Sequence, residues 1–368
     1  MRLGSGHRAG DPRVPAGTDG DGADRMTGTA TAAPDGTTSG RYEIEVVRPD
    51  PWPVRALVRW RRAGAAEGRE REMHPLRAVL VLAALAALGW WSRGALVFLA
   101  LIGAIIVIHE AGHYVVARRC GMRPTEFFVG FGPTVWSHTT EGGLRWGVKA
   151  LLLGGFVKIP GMGPSEEVEA SLERYTYRAA SRPRRLAVIL AGVAANFVLA
   201  VAMFAAFAMW NPSIQATPRV AVTGSVSLMG DVTVSTLTGL RDLVSGAGDY
   251  ASSVADGQAP KQRMVSAVGG AQLTDGLLDR HPSQLLLLGG IFSTSIAVFN
   301  LLPLLPLDGG HAAIVVVEGA VARVRRRPRY RLDPNRFRIA AVVVVALLLT
   351  LGVTSMWIDL LHPLSPTG

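Results

Sequence analysis

From residue 76 onward the chain consists of long apolar runs, nearly free of charge, separated by basic and glycine-rich stretches. The runs Leu76–Trp91, Gly94–Ala117, Leu186–Trp210, Leu285–Val317 and Ile339–Trp357 approach or exceed the roughly 20 residues with which an α-helix crosses a bilayer. They predict about five spanning helices. The fourth is broken where Pro303 and Pro306 remove backbone donors and crowd the preceding turn. The first, at 16 residues, is the shortest. It spans only if Arg77 snorkels and Trp90-Trp91 anchors an interface, the alternative being a re-entrant or interfacial helix. Between the second and third runs, Glu126–Trp136 and Leu144–Lys158 alternate aromatic and β-branched residues and are punctuated by Glu141-Gly142-Gly143 and Gly154-Gly155. That pattern predicts β-hairpins. The expected fold class is therefore an α-helical multi-span membrane protein with a β-hairpin region after its second apolar run.

Composition agrees: 49% of the 368 residues are apolar and the mean hydropathy is +0.28, which excludes an ordinary soluble domain. A net charge of +10 would suit nucleic acid, but the arginines cluster beside the apolar runs, and the positive-inside rule accounts for them without it. Eleven Lys/Arg lie from Arg118 to Arg185 and eight from Arg323 to Arg338, whereas the 74 residues Asn211–Gln284 hold five. The first two segments, with the basic juxtamembrane stretch 51–75, are expected in the cytoplasm and 211–284 outside it. The cell membrane, in a bacterium the plasma membrane, is the expected location. Residues 1–50 are rich in Gly, Thr, Ala, Asp and Pro without apolar periodicity and are expected to be a disordered tail. No secretory signal peptide is read there, and Met26 and Met73 are alternative starts. Cys120 is the single cysteine, so no intrachain disulfide forms.

The chemistry starts at the end of the second run, with His109-Glu110-Ala111-Gly112-His113. Histidines at i and i+4 share one helix face and can bind one Zn²⁺, while the adjacent carboxylate can take a proton from a water that the metal activates. Ionisable groups cost roughly 2.5–3.5 kcal/mol or more at the centre of a span, so three within five residues call for a partner such as a metal. A catalytic zinc site takes a third protein ligand and keeps one position open. Asp308 is the expected third ligand, after the proline-broken Asn300–Pro306 segment and before Gly309-Gly310. His311 is the rival. Zinc fits the ligand set best, although two histidines and a carboxylate would also admit Co²⁺ or Mn²⁺.

These residues resemble the site-2 proteases, zinc intramembrane metalloproteases of regulated intramembrane proteolysis, and among them the actinobacterial members that cleave anti-sigma factors. The likeness rests on His109–His113, Phe128–Pro133, Gly154–Lys158, Ala191–Phe197 and Asn300–His311. It implies Glu110 as general base, His109, His113 and Asp308 as zinc ligands, and Asn196 and Asn300 as amides near the metal that hold substrate. It also implies that the β-region enters the membrane beside the site, where a strand edge can pair with an unwound substrate. The expected partners are the lipid bilayer and single-span membrane proteins such as anti-sigma factors or signal-peptide remnants, with no nucleic acid.

The expected organisation is an extra N-terminal span at 76–91, a first protease half at 94–210, the outward segment 211–284, a second half at 285–358 and a tail at 359–368. Val193 stands where the family usually has proline. In 211–284 no PDZ pattern is found, and Val222–Gln272 resembles the stretch beyond that domain in the anti-sigma-factor proteases. Without that gate, the enzyme needs another one or processes short substrates. A metal transporter would not need Glu110 beside a ligand, an inactive scaffold would not keep all four chemical positions, and in a soluble protease the motif would stand clear of an apolar run.

Overall fold

The computed structural model describes residues 71–162, 166–260, 264–326, 330–332 and 337–364. The expected tail 1–50, most of the basic stretch 51–75 and the last residues of the tail 359–368 lie outside them. Nine helices are described: α1 (Pro75–Trp91), α2 (Arg93–Arg119), α3 (Arg182–Trp210), α4 (Pro218–Ser245), α5 (Ala247–Ala255), α6 (Ala267–Arg280), α7 (Gln284–Leu301), α8 (Asp308–Val324) and α9 (Arg338–Leu361). Three strands, β1 (Arg71–Met73), β2 (Glu126–Thr139) and β3 (Arg145–Lys158), form one sheet in that order.

Among the described residues, five helices are long and apolar enough to cross a membrane, namely α2, α3, α4, α7 and α9. The number matches the expectation but the membership does not. The first expected span, α1, has only 17 residues, and α4 lies inside the stretch expected to be an outward segment. The reason α4 escapes a reading for apolar runs is its content of Arg219, Asp231, Arg241, Asp242 and many hydroxyls. Thr223, Ser225, Thr233, Thr236 and Thr238 each return their hydroxyl to a carbonyl three or four residues earlier, so these polar side chains arrive already bonded. The described part of 211–284 contains helices and no strand. The fourth expected run divides at the prolines into α7 and α8, as anticipated.

α2 and α3 pack so closely that a Cβ at Gly112 would stand 2.6 Å from the Ala191 carbonyl oxygen. α7 closes on both, with Phe98 and Phe292 edge to face at 5.2 Å and Ser293 donating to the Asn196 carbonyl at 2.8 Å. Small residues at such crossings let backbones approach where lipid supplies no hydrophobic drive for association. A buried cluster of Ala117, Met122, Ile159, Tyr177, Val188, Ile189 and Val315 joins the C-terminal end of α2 to the sheet, α3 and α8.

β2 and β3 are each bent, so their pairing changes part-way. Glu126–Val129 lies parallel to Arg145–Val148 and antiparallel to Gly155–Lys158, while residues 134–139 run antiparallel to 145–149. The bend in β2 falls at Gly130 and Gly132, with φ of +91° and +81°, angles that side chains beyond glycine rarely adopt. β1 covers the 136–138 side of the sheet, while the opposite end, 155–158, turns toward α2.

The N-terminal end of α2 is held by α6. Asp275 accepts from Ser92 Oγ and from the Gly94 amide, both at 2.6 Å, and Ser92 itself caps Ala95. Asp275→Ala is expected to lower stability by about 1 kcal/mol, the usual worth of a helix cap, measured as a fall in the thermal midpoint of the detergent-solubilised chain. An unchanged midpoint would show that the Ser92 cap alone suffices.

Candidate metal centre

α2 presents His109 and His113 on one face, one turn apart, with both rings turned toward α3 and α8. His109 Nε2 and His113 Nε2 are 3.1 Å apart, and Asp308 Oδ2, from the first turn of α8, lies 3.0 Å from the former and 3.2 Å from the latter. Among the described residues these three form the one group of His, Cys, Asp or Glu side chains that could hold a metal ion, and His311 is not in it. The triangle fits zinc. Tetrahedral ligands at about 2.0–2.1 Å from the ion stand roughly 3.3 Å from one another. Asp308 Oδ2 is buried without a hydrogen-bond partner among the described residues, so the close approaches to the imidazoles lack hydrogen-bond geometry. A cation at the centre of the triangle would satisfy all three atoms.

The surroundings prepare the ligands. His113 Nδ1 lies 2.8 Å from the Val188 carbonyl on α3. That oxygen can only accept, so Nδ1 carries the proton and Nε2 keeps its lone pair for a metal, the usual outer-shell arrangement for a ligating histidine. Gly192, one turn further along α3, makes room. A Cβ there would overlap His113 Nε2 and stand 2.8 Å from His109 Nε2. On α8, Gly309 and Gly310 allow the helix to start directly against the carbonyls of the Leu301–Leu304 turn, where a Cβ would collide with backbone. That close start carries Asp308 to the histidines.

Glu110 sits beside the triangle, near enough to interact electrostatically with His109, His113 and Asp308, and its carboxylate meets the backbone of Val157. A Cβ at Gly155 would lie 3.4 Å from Glu110 Cγ and 3.5 Å from Ile106. The 155–158 end of β3 therefore runs alongside the face of α2 that carries Glu110. Asn196 is fully buried one turn beyond Gly192, and both its amide atoms lack a partner among the described residues. Asn300 is half-buried in the last turn of α7, immediately before the proline break. α3 runs unbroken through Val193.

The profile of peptidase family M50 matches residues 97–351. The chain belongs to peptidase family M50. Similar proteins include the regulator of sigma-E protease RseP of Salmonella typhimurium, 32% identical over 187 residues, which are 50% of this chain and 39% of that protein. The zinc metalloprotease Rip1 of Mycobacterium tuberculosis is 40% identical over 139 residues, 36% of this chain and 34% of that protein. RseP of Escherichia coli is 37% identical over 123 residues, 33% of this chain and 26% of that protein. The chain thus spans between about a quarter and two fifths of the length of these relatives.

As an M50 chain with five span-length apolar helices, it is a multi-pass membrane protein of bacterial type. Its His-His-Asp cluster fits the Zn²⁺ implied by the family and by the name of its mycobacterial relative. The sequence points to His109, His113, Asp308 and Glu110, which the structure brings together, but not to the Val188 carbonyl or the space left by Gly192. The first has no side-chain signature. The second was visible only as one glycine inside Ala191-Gly-Val-Ala-Ala-Asn196.

Proposed function

We propose that this chain is a zinc-dependent intramembrane endopeptidase that hydrolyses peptide bonds in or near the spans of single-span membrane proteins, such as anti-sigma factors or signal-peptide remnants. The observation that carries the reading is the triangle of His109 Nε2, His113 Nε2 and Asp308 Oδ2 with Glu110 at its side, on a helix long and apolar enough to span a bilayer.

His109, His113 and Asp308 would hold the ion. Bound there, Zn²⁺ would supply Lewis acidity toward the scissile carbonyl and bring the pKa of a water near 7. Glu110 takes a proton from the attacking water as its oxygen bonds to the carbonyl carbon, then delivers it to the leaving amine as the C–N bond breaks. Asn196 and Asn300 direct amide N–H groups at the carbonyl oxygen as charge develops. A peptide bond inside a helix is shielded, so the substrate must be extended before it is attacked. The 155–158 end of β3 supplies backbone groups for that strand pairing, which is independent of side-chain identity. The 211–284 segment, helical in most of its described part, stands in place of a PDZ gate, so substrates with short ectodomains are accepted directly.

The test reconstitutes the full chain in proteoliposomes with tagged single-span candidates carrying short ectodomains, followed by fragment sizing and mapping of the cut. Cleavage within the span is expected, abolished by a zinc chelator and restored by added Zn²⁺. Cleavage that persists in the zinc-free protein would overturn the mechanism. A long-ectodomain substrate left untouched until another protease trimmed it would overturn the direct-access reading.

A further inference from the structure

Away from the metal triangle, a second polar cluster is buried where α3, α8 and the segment before α9 meet. Glu318, 1% exposed, lies at its centre. Its Oε2 accepts from Arg185 Nη1 on α3 at 2.6 Å and from Arg331 Nη1 at 3.2 Å, and its Oε1 accepts from the Leu332 amide at 3.1 Å. Arg185 is itself 6% exposed and lies 4.6 Å from the centre of the Tyr177 ring. The proposed chemistry uses none of these groups.

A buried ion pair is a poor source of stability, because desolvation offsets most of the attraction. Its best-attested use is to fix the register of packed elements. Register matters here because apolar helices in a membrane gain little from one packing over another. Arg185 stands one turn before Val188, whose carbonyl orients His113, on the same buried face of α3 that carries Gly192 and Asn196. Glu318 stands ten residues after Asp308, on the helix that Asp308 begins, about 15 Å along its axis. The pair therefore joins the helix that steers one histidine to the helix that delivers the carboxylate.

We infer that Arg185 and Glu318 are positioning residues of the metal centre: their ion pair fixes α8 against α3 so that Asp308 meets His109 and His113. This rests on those three residues being the metal site, so the parent chain's zinc content is measured first. A parent that binds no zinc would refute that site assignment itself, apart from the role of the pair.

The decisive variant is Arg185→Met/Glu318→Leu, because replacing a buried pair with apolar residues of similar volume commonly leaves stability unchanged or raised. The full chain in detergent is titrated with Zn²⁺ against a competing chelator, and its Co²⁺-loaded form is examined by visible absorption. Thermal unfolding of the metal-free protein is followed separately. The expected result is zinc affinity lowered about tenfold or more, the scale of losing outer-shell support, with an altered Co²⁺ spectrum and an unchanged or higher midpoint. Arg331→Gln, which removes the exposed partner of the same carboxylate, is expected to keep zinc affinity within about twofold. Parent-like affinity and spectrum in the double variant would overturn the inference, as would equal zinc loss in both variants or loss that merely tracks unfolding.

Discussion

Glu110→Gln is expected to leave zinc bound while slowing peptide hydrolysis by about 10²–10⁴-fold, or ~3–5 kcal/mol of barrier at 1.36 kcal/mol per tenfold. Glutamine keeps the size of the side chain and can still face the Val157 backbone, but it cannot accept the proton from water or return it to the amine. Glu110 is not one of the three residues of the triangle, so metal content should stay at the parent value. The measurement pairs single-turnover cleavage in proteoliposomes with zinc analysis of the same sample. Parent-rate cleavage would remove Glu110 from the mechanism. Loss of zinc together with activity would make it a ligand or a support of one.

The sequence alone suggests that separation of roles, because i, i+4 spacing on a helix is a local property and the cost of charge in an apolar run singles out the residues that carry it. The pairing of α2 with α8 was legible for a similar reason. Asp308 follows a proline break at the end of another apolar run, and broken backbone in hydrocarbon must line something. What remained hidden depends on how helices meet. Val188 contributes only a carbonyl, and no residue type marks that. Arg185 is only one of eleven Lys/Arg between the second and third apolar runs, nothing in the sequence marks Glu318, and their union across 133 residues appears only once α3 and α8 are packed.

α4 differs from the expected list of apolar runs for another reason. A window read for uninterrupted apolar residues rejects a helix with four charges and many hydroxyls, although the hydroxyls are bonded within the helix. Ala221 and Ser225 are buried, and Thr236 meets Ser295 on α7 at 3.2 Å. The segment therefore packs against α7 as a helix. The resemblance of Val222–Gln272 to sequence outside the PDZ domain had pointed to this region, but not to the length or packing of its helix.

Gly192→Ala is expected to have the other large effect, and its sign opposes ordinary helix energetics. In an exposed helix interior, glycine to alanine stabilises by about 0.8–1.0 kcal/mol. Here the added methyl would overlap His113 Nε2 and lie 2.8 Å from His109 Nε2, the two ring nitrogens of the triangle. The neighbouring backbone has no slack, because Gly112 on the facing helix already holds α2 against the Ala191 carbonyl. Either α3 moves away and His113 loses the Val188 carbonyl, or the imidazoles rotate off the common point. Zinc affinity is expected to fall by about 100-fold, near the upper range for disturbed outer-shell contacts, with cleavage lost in step. Gly103→Ala on α2 supplies the control, since a Cβ there meets nothing within 4 Å and its helix gains the propensity without the collision. Equal zinc affinity in the two alanine variants would show that the metal centre tolerates a side chain at Gly192, and the crowding drawn between α2 and α3 would have to be abandoned.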